Sequence, residues 1–342
     1  MTGGASDARD AVVFDRVSVV FGDKPGTALP PMDQGLDRAA IREATGQVLG
    51  VHDCSLSVAE GEILVLMGLS GSGKSTLLRT VNALAPTVRG DVRLRTARAM
   101  ERVSAARPDA LRRIRLNDVA MVFQQFGLLP WRSVRENVGL GLELAGMTRA
   151  ARRARVDEQL ALVGLSDWAD RKVGDLSGGM QQRVGLARAF ATHAPILLMD
   201  EPFSALDPLI RTRLQDDLLA MQRTQRRTII FVSHDLDEAF KLGNRIALME
   251  GGRIVQVGTA REIIQNPVSD YVQDFVQHMN PIEVLTAADL AEPGTAEGRA
   301  LPRELPARAV MQALSTAEML PVEGGGRVTR SSVLARLVDP QG

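Results

Sequence analysis

Residues 68–76 of this 342-residue chain read GLSGSGKST, a set of glycines, hydroxyls and a lysine that can hold phosphate. An apolar, strand-like run at residues 62–67 precedes them, and a helical pattern starts at Ser75. The glycines let the backbone turn tightly, so that successive N–H groups and the positive end of a helix face an anion. Lys74 adds a mobile charge for the β- and γ-phosphates, and the Ser75 hydroxyl is placed for Mg²⁺. The alternative, a glycine-rich turn without a ligand, does not require this spacing between a strand and a helix.

Two neighbouring acids, Asp200 and Glu201, follow a second apolar run at residues 196–199. Pro195 and Pro202 bound this run, which is typical of a short strand buried on both faces. Phosphoryl transfer needs mostly positioning and charge neutralisation. We therefore expect Asp200 to hold Mg²⁺ through water and Glu201 to polarise the water that attacks the γ-phosphate. A solvated Asp-Glu pair after a core strand is the alternative, and the upstream phosphate loop disfavours it.

A third motif, LSGGMQQR at residues 176–183, lies just upstream of the acidic strand and begins a helical pattern. Two glycines at a helix start expose backbone donors to an anion. The three motifs in this order resemble the ATPase subunit of an ABC transporter. The resemblance implies an α/β fold: a P-loop NTPase (RecA-like) core, an antiparallel β subdomain, an inserted α-helical subdomain and a short C-terminal extension. It further implies an ATPase that uses ATP and Mg²⁺ to drive a solute through a partner membrane protein.

Other residues match further positions of this family. Gln124 matches the glutamine that senses Mg²⁺ and the γ-phosphate, and His234 matches the switch histidine that contacts the γ-phosphate. Asp207 matches the loop that lies across the dimer interface. Phe21 stands where the family places an aromatic ring under the adenine, with Phe14 as the less favoured substitute.

The resemblance thus implies a complete set of site residues. The nucleotide-binding residues are Phe21, Gly68, Leu69, Ser70, Gly71, Ser72, Gly73, Lys74, Ser75, Thr76, Gln124, Asp200 and His234, joined across the dimer by Ser177, Gly178, Gly179 and Asp207. The catalytic residues are Glu201, His234 and Gln124, and the metal-holding residues are Ser75, Gln124 and Asp200. Because the signature of one protomer closes over the ATP of the other in this family, single copies of the motifs imply a homodimer. The remaining histidines, His52, His193 and His278, are interpreted as structural.

The composition limits the classes of function that fit this chain. Lys plus Arg and Asp plus Glu number 41 each, so no global charge favours nucleic acid as a partner. The single Cys54 excludes an internal disulfide and fits a reducing compartment. No run approaches the roughly 20 apolar residues that span a bilayer, and residues 1–10 lack a signal-peptide pattern. We expect a peripheral protein without a membrane span, held by a permease at the cytoplasmic face of the bacterial inner membrane.

The chain is expected to contain one ATPase domain with flanking segments. Its predicted parts are a polar tail at 1–10, the ATPase domain at 11–285, a helical subdomain at about 96–185 and the extension at 286–342. The extension has two interpretations, a partly ordered tail or a vestigial half of a CBS module. A strand-then-helix pattern over residues 320–334 supports the second.

Residues 22–50, the insertion, are longer than the short turn that most such ATPases carry there. Three prolines precede a helical pattern that starts near Asp37 and stops at Gly46. An ordered surface insertion without a role is one interpretation. The pattern nevertheless resembles the insertion in ATPases of glycine betaine, proline betaine and choline importers. The resemblance to this quaternary amine group extends over residues 11–285, with close matches at 67–76, 203–211 and 233–239.

The insertion, the run at 207–211 and residues 280–285 together resemble the ATPases of choline and betaine importers, and the short extension without paired CBS modules favours the choline branch. The full complex of such importers adds permease subunits and a periplasmic or extracellular solute-binding protein. Three other functions stay open. One is the ATPase of an ABC importer for a different solute. Another is an ABC exporter cassette, although exporters of this size often need fused membrane spans and the close sequence matches are to importers. The third is a non-transport ABC ATPase that acts on nucleic acid, although the two cassettes or long coiled coils typical of such proteins are missing from the sequence.

Overall fold

The computed structural model describes residues 9–277, 282 and 284–338. His278 and half of the segment at 280–285 lie outside the described residues, as does most of the polar tail. The described residues form two compact units. The first unit comprises residues up to 234 together with Met249–Ile254, and the second comprises Asp235–Leu248 together with the residues from Val255 onward.

The first unit contains eight whole strands and nine α-helices among the described residues. The strands are β1 (Asp10–Phe21), β2 (Val48–Ala59), β3 (Ile63–Met67), β4 (Arg89–Arg95), β5 (Met100–Arg102), β6 (Val119–Val122), β7 (Ile196–Asp200) and β8 (Thr228–Val232). The helices are α1 (Leu29–Asp33), α2 (Arg38–Thr45), α3 (Lys74–Thr80), α4 (Pro108–Asn117), α5 (Val134–Val138), α6 (Leu140–Leu144), α7 (Arg149–Leu162), α8 (Gly178–Ala191) and α9 (Pro208–Gln225).

Four of these strands, in the order β3-β8-β7-β6, pair in parallel. β3, β7 and β8 are apolar runs in which every residue is buried, as expected for strands covered on both faces. Because parallel strands end at the same edge of a sheet, the phosphate loop after β3, Glu201 after β7 and His234 after β8 emerge side by side. The sheet thereby brings distant motifs together.

A second sheet in this unit has the order β2-β1-β4-β5, and its pairs are antiparallel. β1 ends at Phe21, opposite Val48 of β2. The region expected to be helical, residues 96–185, contains α4 to α7 and the start of α8, but it also contains β6, which pairs with β7. A four-residue apolar run cannot be separated from a helical segment by periodicity alone, which explains why the sequence pattern missed this strand.

The insertion folds into a 3-10 turn at Pro25–Ala28 followed by α1 and α2. The Asp37 carboxylate accepts a hydrogen bond from the Ala40 N–H at 2.8 Å and caps α2, which ends at Gly46 with a φ of +70°. The prolines of the insertion occupy the first turns of these short helices, where the missing N–H is not needed. Ile41 and Met32 are fully buried in a cluster that anchors the insertion to β1 and β2.

The second unit contains α10 (Leu236–Leu242), α11 (Ala260–Gln265), α12 (Asp270–Gln277), α13 (Ala287–Leu290), α14 (Ala307–Ala313), β11 (Met319–Pro321), β12 (Arg327–Thr329) and α15 (Arg330–Val338). Two further strands, β9 (Arg245–Glu250) and β10 (Arg253–Gly258), run across the division between the units. The described part of the extension has its own apolar core. The buried residues of this core are Leu285, Ala287, Leu290, Ala307, Val310, Leu314, Val322, Val328 and Val333. In the described ranges, no helix is long and apolar enough to cross a membrane.

Candidate nucleotide site

The phosphate loop links the buried strand β3 to α3 and holds its lysine firmly. The Lys74 ammonium donates hydrogen bonds to the carbonyl oxygens of Gly68 at 2.8 Å and Leu69 at 2.9 Å. Burial lowers the pKa of Lys74, while the nearby charges of Glu201 and Asp200 oppose this shift. The loop therefore presents a desolvated cation in a fixed place, which suits a phosphate group.

Two glycines of this loop occupy positions that only glycine can fill. A Cβ on Gly73, whose φ is +101°, would lie 2.7 Å from the carbonyl oxygen of Gly50. A Cβ on Gly68, whose φ is +138°, would lie 2.1 Å from the carbonyl oxygen of Met249. Both conformations and both close approaches exclude a side chain. The glycine spacing in the motif is thus a requirement of the local backbone.

Asp200 is completely buried at the end of β7, and both of its carboxylate oxygens are bonded. Oδ1 accepts from the Ser75 hydroxyl at 2.6 Å, and Oδ2 accepts from an Arg79 Nη2–H at 2.9 Å. The ion pair with Arg79 was not expected from the sequence. The sequence signal for this ion pair is weak, because Arg79 lies one helical turn after Ser75 in α3 and resembles any solvated arginine. Together the two donors fix the carboxylate next to the phosphate loop.

Glu201, Gln124 and His234 meet at the same edge of the sheet. The Gln124 side-chain amide donates to Glu201 Oε2 at 3.3 Å, and His234 Nδ1 lies 3.6 Å from the same oxygen. Glu201 adopts a left-handed backbone conformation with a φ of +50°, a strained arrangement that is often found at functional positions. The structure therefore places an amide and an imidazole around one carboxylate oxygen.

These groups line a cavity of about 850 Å³, called here the site cavity. The sequence-predicted residues in its wall are Phe21, Ser70, Gly71, Gly73, Lys74, Ser75, Thr76, Gln124, Glu201 and His234. Four other predicted residues bond to members of this wall: Gly68, Leu69 and Ser72 to Lys74, and Asp200 to Ser75. Phe21 is 45% exposed at the cavity, whereas Phe14 is 2% exposed inside the protein. The geometry thus favours Phe21 over Phe14 as a surface for a base.

The signature residues lie elsewhere in the described chain and are not in the cavity wall. Ser177 caps α8 by accepting from the Met180 N–H at 3.4 Å, and Asp207 caps α9 by accepting from the Ile210 N–H at 3.0 Å. This placement fits a site that a second copy completes.

Gln182, in α8, links the signature helix to the acidic strand. Its side-chain amide donates to the Glu201 carbonyl at 3.1 Å and its oxygen accepts from the Ala205 N–H at 3.1 Å. Gln182 is part of the signature motif, yet its type alone indicates no role. The structure shows that it ties three motifs of one chain together.

The structural interpretation of His52 is supported by its surroundings. Its side chain is buried, and an Arg253 Nη2 lies 2.7 Å from its Nδ1. Burial and the Arg253 charge lower the pKa of His52, which favours the neutral ring at pH 7. Cys54, two residues away, is also buried, and this burial raises the pKa of its thiol to about 11. Neither side chain has the features of a reactive group.

The residues around the phosphate loop fit a magnesium ion. Among the described residues, no group of three or more His, Cys, Asp or Glu side chains could hold a metal alone. Mg²⁺ prefers oxygen ligands, and it usually takes one or two protein groups together with water and substrate phosphates. The Ser75 hydroxyl, the Asp200 carboxylate and the Gln124 amide oxygen belong to this type.

Comparison with known proteins identifies the family. A family model described as "ABC transporter" matches residues 51–204. The glycine betaine/proline betaine transport system ATP-binding protein ProV of Escherichia coli K12 is 49% identical over 272 residues, which cover 80% of this chain and 67% of ProV. The trimethylamine N-oxide transport system ATP-binding protein TmoW of Ruegeria pomeroyi is 41% identical over 315 residues, 90% of each chain.

Comparison with solved structures supports the same family. A dimeric structure of the ATP-binding cassette MJ0796 bound to ADP and Pi has a TM-score of 0.63 and 29% sequence identity, and it covers 72% of this chain and 98% of that one. The predicted P-loop NTPase fold class is thereby confirmed. The chain belongs to the ABC transporter family, as one of its ATP-binding, ATP-hydrolysing subunits.

Proposed function

We propose that this ATPase drives uptake of a small methylated amine of the glycine betaine type. The observation that carries the proposal is the 49% identity to ProV over 272 residues, since that protein is named for glycine betaine and proline betaine transport. The site cavity supports the catalytic part of the proposal, because it brings Lys74, Ser75, Glu201 and His234 together.

The residues around the cavity have separate roles in hydrolysis. The ring of Phe21 stacks on the adenine, and the Lys74 ammonium and loop N–H groups hold the β- and γ-phosphates. Ser75, Asp200 and Gln124 would hold Mg²⁺, which when bound neutralises charge on the phosphate oxygens. Glu201 Oε2 accepts a hydrogen bond from the attacking water and orients it toward the γ-phosphorus. Gln124 and His234, which lie 3.3 and 3.6 Å from that oxygen, keep it in position.

A second copy of the chain completes each site in this proposal. Ser177, Gly178 and Gly179 lie at the N-terminus of α8, where backbone N–H groups suit an anion. None of them lines the site cavity of its own chain, according to the described residues. MJ0796, which matches this fold, is dimeric with ADP and Pi bound. We therefore infer a homodimer in which these residues and Asp207 face the nucleotide of the partner subunit.

A permease contact is proposed for residues 126–131. Trp131 is 68% exposed, an unusual position for a large aromatic ring without a partner. Arg188 of α8 donates to the carbonyl oxygens of Phe126 and Gly127 at 2.6 and 2.7 Å, so the segment is held in place. An exposed ring on an ordered segment is suited to anchor a partner helix. Through this contact the chain would sit at the cytoplasmic face of the inner membrane, with a solute-binding protein on the other side.

Three solutes are favoured by the similarity to these relatives. ProV, at 49% identity, is named for glycine betaine and proline betaine, whereas TmoW, named for trimethylamine N-oxide, matches 90% of both chains. These solutes share a methylated nitrogen that an aromatic cage of a binding protein recognises. The narrower prediction of a choline importer remains a proposal. The resemblance to choline and betaine importers rests partly on residues 280–285, half of which lie outside the described residues.

Uptake measurements test the solute class. Cells that lack the gene are complemented with the wild-type chain or with Lys74→Ala, and uptake of labelled glycine betaine, choline and trimethylamine N-oxide is followed at low and high osmolarity. We expect uptake of a methylated amine that requires the gene and is lost with Lys74→Ala. Unchanged uptake of all three solutes without the gene would refute the solute class. Dependence on the gene only at high osmolarity would favour an osmoprotectant importer over the choline branch.

A further inference from the structure

Arg38, the first residue of α2 in the insertion, places its guanidinium in the wall of the site cavity. Its two terminal nitrogens donate hydrogen bonds to the carbonyl oxygens of Gly71 in the phosphate loop and of Gly50 in β2. The Asp37 cap fixes the start of the helix from which the side chain extends. The insertion thus touches the phosphate loop directly through a cation.

Within the described part of the chain, Arg38 has no ion pair with a carboxylate, although such a partner normally accompanies a partly desolvated cation. Burial lowers the pKa of Arg38, the Cys54 thiol opposes this shift, and no carboxylate within the described ranges contributes to it. Its Nε–H is buried and has no hydrogen-bond partner among the described residues. Arg38 is partly buried, and two neutral carbonyls only partly compensate its charge, which leaves the capacity to bind an anion.

Lys74 offers a direct comparison, because it lines the same cavity and also donates to backbone carbonyls. Unlike Arg38, however, Lys74 has the carboxylate charges of Glu201 and Asp200 nearby. Arg38 also differs in its place along the cavity. It bridges Gly71 of the loop and Gly50, and a Cβ on Gly50 would lie only 2.8 Å from Cε2 of Phe21. Arg38 therefore stands between the aromatic ring and the loop.

We propose that Arg38 is a further nucleotide-binding residue, which pairs with the α-phosphate of ATP and makes the insertion part of the binding site. The inference rests on the proposed function, which places the adenine on Phe21 and the β- and γ-phosphates at the loop. The α-phosphate joins these two positions. The planar fork of a guanidinium can bond two phosphate oxygens at once, and charge-assisted hydrogen bonds are stronger than bonds to neutral carbonyls.

Titration calorimetry with ADP on the full chain tests this inference. Arg38→Gln keeps side-chain N–H donors for the carbonyls but removes the charge, whereas Arg38→Lys keeps the charge without the fork. We expect Arg38→Gln to weaken ADP binding about 10- to 100-fold and Arg38→Lys to weaken it less. The KM for ATP should rise with kcat nearly unchanged at saturating ATP, because a ground-state contact is lost. Arg107→Gln, which removes an 86% exposed arginine outside the cavity, serves as the matched control and should bind ADP as the wild type does.

The outcomes separate this inference from the proposed function. Wild-type ADP affinity in Arg38→Gln, with binding lost in Lys74→Ala, would overturn the role of Arg38 and leave the proposed function intact. Wild-type affinity in Lys74→Ala would overturn the proposed site itself. Tighter binding by Arg38→Gln than by Arg38→Lys would show that Arg38 acts through its carbonyl bonds rather than its charge, and this too would overturn the inference. A normal kcat at saturating ATP shows that the Arg38 variants are folded, and an unchanged unfolding temperature shows this for Lys74→Ala.

Discussion

The site cavity and the extension are ordered by opposite kinds of interaction. In the cavity, two cations are held by backbone carbonyls, and Gly68 and Gly73 adopt conformations that no other residue fills. In the extension, the buried core consists of leucine, valine and alanine side chains alone. Polar groups in fixed places provide chemistry, whereas small aliphatic side chains provide only packing. Changes in the first region should therefore alter activity, and changes in the second should alter local stability.

The largest expected effect is on turnover in Glu201→Gln. The substitution keeps the shape of the side chain but removes the charge that orients the attacking water. Water-orienting or general-base groups contribute about 10²- to 10⁴-fold in rate, so ATP hydrolysis should fall by that factor while ATP still binds. Steady-state ATPase assays and nucleotide titration measure the two quantities. Glu158→Gln, at an exposed acid of α7, is the matched control. A near-normal rate of hydrolysis in Glu201→Gln would refute the role of Glu201 in orienting the water.

The next effect is on the stability of the extension. Leu290 is 1% exposed in its core, and Leu→Ala changes at such positions cost about 2 to 5 kcal/mol. We expect Leu290→Ala to lower amide hydrogen-exchange protection across residues 285–337, while the rate of ATP hydrolysis stays at the wild-type level. Leu334→Ala, at a position 62% exposed on α15, should change neither quantity. A loss of hydrolysis in Leu290→Ala would show that the two regions are functionally coupled.

The same contrast explains what the sequence could predict. The strands that precede the phosphate loop and Glu201, β3 and β7, and the start and stop of α2 were predicted correctly, because apolar runs and capping residues have local signals. The contact between Arg38 and Gly71 joins residues 33 positions apart and depends on how the insertion folds back. The core of the extension has no aromatic residue and no motif, and its order emerges only when its side chains are brought together.

A third prediction concerns transport rather than hydrolysis. Truncating an exposed interface anchor typically costs about 2 kcal/mol or more in binding. Trp131→Ala should therefore weaken the association with the permease and reduce uptake, while the isolated subunit hydrolyses ATP normally and unfolds at an unchanged temperature. Co-purification with the permease and uptake assays measure these effects, and Trp168→Ala, 39% exposed, is the control. Intact permease binding and uptake in Trp131→Ala would exclude this residue as the anchor.

The smallest expected effect concerns Asp289, a buried acidic residue of α13 in the second unit. Its Oδ1 lies 2.5 Å from Arg261 Nη2 and accepts from Gln265 Nε2 at 2.7 Å. Its Oδ2 accepts from the N–H and the hydroxyl of Thr286 at 3.0 and 2.8 Å. Hydrogen bonds to a charged group contribute about 1.5 to 3 kcal/mol. Asp289→Asn should therefore lower hydrogen-exchange protection in the extension at pH 7, whereas Glu297→Gln, at an exposed acid of the same unit, should not.

The pH dependence of this effect follows from the direction of the pKa shift. Burial alone would raise the pKa of Asp289, but the bonds from Thr286 and Gln265 and the charge of Arg261 outweigh it and lower the pKa. A lowered pKa means that the stabilisation is fully present above the unfolded value of about 3.9 and is lost as the pH falls through the folded value. Hydrogen exchange is measured at pH 7, 5 and 3.5 and corrected for intrinsic rates. The difference in exchange protection between wild type and Asp289→Asn should persist at pH 5 and shrink below pH 4. A difference that grew toward acid would contradict the ion pair as the source of stability, and the extension would then be ordered by its apolar core alone.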